Sequence, residues 1–128
     1  MINREINLDG ICALYYLLIA ADGIISEKEI KMGKLMCKHE GLGYDYLEKS
    51  IECYRTMRPD QLLHIALNAL LGFPNQLQIR LLAWMIKIAN ADGFMSPEEW
   101  RLIFRIYKVE LKLSQTEIME IQKQLPNE

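Results

Sequence analysis

The sequence predicts an all-α fold, a single pseudo-symmetric bundle of about seven helices arising from internal duplication. Three observations predict it. Apolar residues recur at helical spacing, and no stretch alternates polar and apolar residues between turn signals as a strand would. Ser-x-x-Glu capping boxes stand at Ser26/Glu29, Ser96/Glu99 and Ser114/Glu117, each ahead of an apolar-periodic run. An Ala-Asp-Gly turn occurs twice, at Ala21-Asp22-Gly23 and Ala91-Asp92-Gly93, and one offset of 70 residues also aligns Ser26 and Glu29 with Ser96 and Glu99.

The first segment, 8–21, is apolar almost all round, as expected of a helix enclosed by others. It ends at Asp22-Gly23, where glycine can take positive φ, and Ser26 opens a second helix over 27–40. Gly41 and Gly43 close that helix, and Asp45 is a plausible cap for a third, 46–57. Pro59 suits a first helical position, so a connector helix spans 59–71 and stops at Gly72. Pro74 starts a fifth, as densely apolar as the first, and these two are expected side by side at the centre. Ser96, with Pro97 behind it, opens a sixth helix, and Ser114 a seventh that ends near Leu125-Pro126. The domain is therefore one unit over 1–128, with repeat one at about 8–57, a connector at about 59–72 and repeat two at about 74–125.

Composition excludes several classes of function. A net charge of −2 provides no general attraction to nucleic acid or anionic lipid. The longest wholly apolar run, 11–21, is too short to cross a bilayer, and Glu5 and Asp9 are out of place in a secretory leader. Cys12, Cys37 and Cys53 are odd in number and lack Cys-x-x-Cys spacing, which suits a reducing cytoplasm better than a disulfide framework. No P-loop, dinucleotide fingerprint or nucleophile elbow occurs, so an enzyme is not expected. With His39 and His64, the cysteines match no zinc pattern; buried thiols and a partly exposed histidine are expected instead.

The turns carry the most chemistry. From Asp22 to Glu29, and from Asp92 to Glu99, the pattern matches the second half of an EF-hand loop: an oxygen ligand, a turn glycine, an apolar residue and a final glutamate. The first half is absent, because Leu18 and Ala20, or Ile88 and Asn90, stand where oxygen ligands belong. A partial site with waters would use Asp22, Glu29 and the Ile24 carbonyl, and another Asp92, Glu99 and the Phe94 carbonyl. The competing reading gives all four carboxylates capping work, the aspartates accepting turn N–H groups and the glutamates reaching back to the cap residue.

These two motifs, 18–29 and 86–99, each followed by an amphipathic helix, resemble those of the TerB-like domains known from tellurite resistance proteins. The resemblance extends from about 11 to 125 and is sharpest at the turns. It implies an all-helical duplicated fold, a place in bacterial tellurite or stress resistance, and a divalent cation, calcium or magnesium, held by Asp22, Glu29, Asp92 and Glu99. Similar domains precede a J-domain in some membrane-anchored co-chaperones; this sequence has no His-Pro-Asp tripeptide, so that role is not carried over.

The remaining features suggest partners. Lys28, Lys31, Lys34 and Lys38 form one basic row, and Arg101, Arg105 and Lys108 another, to which an anionic partner would dock if these are more than solvated faces. Helix six carries two apolar stripes: Trp100, Ile103, Phe104, Tyr107 and Leu111, then Leu102, Ile106, Val109 and Leu113. One is expected to face the core. The other is covered by helix seven, by a second copy in a homodimer, or by an unknown protein partner; nucleic acid and membrane insertion are not expected. Gly33, aligned with Ile103, predicts a closer helix approach in the first repeat.

Overall fold

In the computed structural model, which describes residues 8–126, α1 (Leu8–Ile19) is apolar on nearly every side because neighbours cover nearly every side. It is followed by α2 (Glu27–Glu40), α3 (Tyr44–Tyr54), α4 (Pro59–Leu71), α5 (Asn75–Ala89), α6 (Pro97–Phe104), a π-helical segment (Arg105–Glu110) and α7 (Gln115–Gln124). No strand occurs among the described residues, and the all-α expectation holds.

The packing follows the repeat. Within each half, the first helix packs on the third, α1 on α3 and α5 on α7. Between the halves, α2 lies chiefly on α5, whereas α6 touches α1 and α5 alike. The two most buried helices, α1 and α5, also touch each other, but the principal neighbour of α1 is the connector α4. Gly10 permits this approach, since a Cβ there would collide with the Cβ of Ala69 on α4. Gly33 acts differently. The ring of Tyr15, fully buried, occupies the space a side chain at Gly33 would need, so the glycine makes room for a large side chain and not for the closer helix approach expected from its alignment with Ile103.

Two boundaries differ from expectation. Helix α3 begins at Tyr44 with Gly43 at the N-cap and no side-chain cap bond, so Asp45 lies inside the first turn, where its charge complements the helix dipole. Helix α6 is α-helical only to Phe104 and then widens into the π segment. The buried face runs through Glu99, Ile103, Ile106 and Tyr107, between the two predicted stripes. Neither predicted stripe is therefore buried as a unit: Ile103, Ile106, Tyr107 and Leu113 are inside, whereas Trp100, Phe104 and Val109 are exposed. Helix α7 packs chiefly on α5 rather than along α6.

Both halves are also locked by one buried ion pair. Glu40, at the end of α2 and wholly inaccessible, receives Nε and Nη2 of Arg80 on α5 at 2.8 and 2.5 Å, and the indole N–H of Trp84 at 3.1 Å. Burial by itself would raise the Glu40 pKa; the hydrogen bonds from Arg80 and Trp84 outweigh it and hold the carboxyl below its ordinary value.

Candidate functional site

Each Ala-Asp-Gly turn is built by the same backbone bonds. Ala20 N–H bonds to Tyr16, Ala21 to Leu18 and Gly23 to Ala20; Asn90 bonds to Ile86, Ala91 to Ile88 and Gly93 to Asn90, every one displaced by the offset of the repeat. Gly23 and Gly93 have φ of 83° and 95°, a region closed to most side chains, which explains glycine at both positions. The next serine then caps the following helix. Ser26 Oγ accepts from the N–H groups of Lys28 and Glu29, and Ser96 Oγ from that of Glu99.

The two turns meet across the halves. Ser26 Oγ donates a 2.8 Å hydrogen bond to Asp92 Oδ1, joining the first helix cap to the second turn. Glu29 and Glu99, both in the first turn of their helices and both buried, have their carboxyls within hydrogen-bonding reach of each other. Glu99 Oε1 accepts the Ser96 N–H at 3.0 Å, completing its capping box, while the buried Oε2 has no donor among the described residues other than what Glu29 can supply. Two buried carboxylates at such range cannot both stay ionised unless a proton or a cation lies between them. Burial first, then the hydrogen bond and charge of Glu99, and finally the charge of Asp92 push the Glu29 carboxyl up to about 9. Burial and the neighbouring carboxyl thus favour the protonated form of Glu29, whose O–H can then serve Glu99.

The four predicted residues divide unevenly. Glu29 meets Glu99, and Asp92, held by Ser26, is near enough for its charge to act on Glu29. Asp22 stays with its own turn, is exposed, and accepts the Ile24 N–H at 3.0 Å. Both the capping and the clustering readings therefore find residues here. Sequence spacing placed the carboxylates within their turns but carried no signal that Ser26 would meet Asp92, because that contact depends on how the halves cross.

Among the described residues, no group of three or more histidine, cysteine, aspartate and glutamate side chains has the arrangement of a metal centre. The donor set at the turns is all oxygen, with one buried carboxylate oxygen lacking a donor of fixed position. Such a set suits a hard cation that retains most of its water, and magnesium is commonly held by one or two carboxylates in this way. Soft-metal ligation has less to draw on: Cys12 and Cys37 are buried, with thiols raised to about 12 and about 11 chiefly by burial, and His39 and His64 are exposed. Cys53 corrects the expectation of buried thiols, since it lies exposed on α3.

Among the described residues, no helix is long and apolar enough to cross a membrane. Searches of curated proteins and of solved structures each found no significant match. A family model described as tellurite resistance protein TerB matches residues 8–123 of the 128. With that match spanning nearly all of its helices, the chain belongs to the TerB family.

Proposed function

We propose that this TerB-family domain is a non-enzymatic interaction module of a bacterial stress or tellurite resistance system, cytoplasmic, and that its paired turns hold a hard divalent cation, calcium or magnesium. The observation that carries the cation reading is the buried opposition of Glu29 and Glu99, with Glu99 Oε2 lacking a fixed donor and Asp92 alongside. Glu29, Glu99 and Asp92 would hold the ion, which would supply the positive charge the shared proton otherwise provides. Because Glu29 stands on α2 and Glu99 on α6, whatever joins them also joins the two repeats, and the exposed apolar tips Ile24 and Phe94 sit on those same turns. Occupancy would thereby reach a surface that a partner protein can read.

A second reading, a metal-independent adaptor, is favoured by the local hydrogen bonds. Glu99 Oε1 is already committed to Ser96, Asp22 to Ile24, and Asp92 to Ser26. Calorimetric titration with calcium and then magnesium, followed at the Gly23 and Gly93 amides by NMR, separates the two. The cation reading expects saturable shifts at both glycines that disappear in Glu29→Gln/Glu99→Gln; no shift at millimolar concentration overturns it and leaves the adaptor. The non-enzymatic reading draws on the thiols of Cys12 and Cys37, which are buried and difficult to ionise. Manganese-dependent turnover of a generic phosphoester that required Asp22 or Asp92 would overturn that part.

A further inference from the structure

Trp100, Phe104 and Tyr107 form a continuous aromatic cluster running from α6 into the π segment, with ring centroids 5.9, 6.4 and 5.7 Å apart. Tyr107 anchors it in the core, whereas Trp100 and Phe104 remain 42% and 39% exposed. Arg101, Arg105 and Lys108, all exposed, line one side of the two open rings at helical spacing. Among the described residues neither Arg101 nor Lys108 has an ion-pair partner, and Arg105 reaches only Glu110, at 3.6 Å and near the surface. Glu98, one turn before Arg101, is the nearby acid on this side and makes no ion pair. In a chain of net charge −2, this is a local strip on which three cations outnumber the acids Glu98 and Glu110, beside exposed aromatic surface.

We propose that this face docks an acidic segment of a partner protein, with carboxylates flanking an apolar anchor. Charge complementarity selects the acidic residues, since Arg101, Arg105 and Lys108 offer them directional donors at the rim. The open rings of Trp100 and Phe104 select the anchor, aromatic and arginine side chains being the groups that most often carry interface energy. Nucleic acid fits less well, because a continuous phosphate backbone draws on a longer basic surface than these three cations provide, whereas a few carboxylates on a peptide need only the local donors. A bilayer fits less well too: the remaining apolar side of the helix is spent on the core through Ile103, Ile106 and Tyr107, leaving too little to sink into lipid. The face is separate from the acidic turns and its use requires no cation.

The test exploits the two tryptophans, since Trp84 is wholly buried and Trp100 is not. The full chain, with chelator present, is titrated with a synthetic amphipathic peptide of glutamate and leucine at helical spacing, and with its lysine-for-glutamate counterpart. Saturable change in tryptophan emission with the acidic peptide only, weakening as salt rises, is expected. Arg101→Glu/Lys108→Glu should lower that affinity roughly tenfold or more and confer binding of the lysine peptide, with an unchanged circular dichroism spectrum. Equal binding of the acidic peptide by this variant overturns the proposal. So does tighter binding to phosphatidylglycerol vesicles or to single-stranded DNA, or a Trp100-dependent self-association in sedimentation that excludes the peptide.

Discussion

Ser26 and Asp92 are joined by a 2.8 Å hydrogen bond although 66 residues separate them, and this bond links the cap of one repeat to the turn of the other. Ser26 thus does two jobs, capping α2 and tethering the second turn, while Ser114 only caps α7. Ser114→Ala should cost about 1 kcal/mol, the usual value of a serine cap. Ser26→Ala should cost more, about 2 kcal/mol, because the Asp92 carboxylate also loses a donor. Urea unfolding of both variants checks the difference.

The shared proton at Glu29 makes cation-free protein sensitive to alkali. Its carboxyl is raised in the folded state, so its contribution is fully present below the ordinary carboxylate value and is lost as pH climbs through about 9. Stability measured in chelator should therefore slope downward from neutral to mildly alkaline pH. Glu29→Gln should flatten that slope and exceed the parent protein in stability at its alkaline end.

Glu40 has the opposite sign. Its pKa is lowered by Arg80 and Trp84 against the pull of burial, so its contribution is present above the ordinary value and disappears as pH falls through the folded value. Arg80→Met leaves a buried carboxylate without its cation. The cost should be about 3 kcal/mol at neutral pH, the lower end for a broken buried pair, since the arginine side chain is itself 39% exposed. Because the uncompensated buried carboxyl takes up a proton above the ordinary carboxylate value, the deficit of this variant in acid unfolding should shrink as pH falls from neutrality, a window in which Glu40 gives the parent no slope.

Gly33 and Tyr15 form a small-with-large pair. Alanine at Gly33 would favour the helix by about 1 kcal/mol but must displace a fully buried ring, and overpacking costs about 1–3 kcal/mol. Gly33→Ala should therefore be net destabilising in thermal unfolding. The offset of the repeat puts Met85 and Ile103 at the corresponding places. Tyr15→Met combined with Gly33→Ile should accordingly be less damaging than the sum of the two single changes.

What could be read along the chain was what is decided within a few residues. Ser26, Ser96 and Ser114 cap helices, and Gly23 and Gly93 reverse the chain, because each bond involved closes a local ring whose partners are fixed by spacing. The all-helical fold and the matching turns follow from those signals together with apolar periodicity. Asp45 was less legible, since any short polar residue near a helix start resembles a cap, and here the backbone of Gly43 already takes that position.

The tertiary structure decided everything that needed residues from two helices distant in sequence. Packing chose the face of α6 through Glu99, Ile103, Ile106 and Tyr107, which falls between the two apolar stripes and leaves Trp100 outside; with apolar residues on both stripes, periodicity by itself does not say which face goes in. The preference of α1 for α4 over α5, the burial of Glu40 against Arg80 and the meeting of Glu29 with Glu99 depend on which faces find complementary volume when the halves cross. Repetition in the sequence therefore determined two equivalent acidic turns, and packing joined them through Ser26 with Asp92 and Glu29 with Glu99, because each of those contacts needs side chains from both halves to meet.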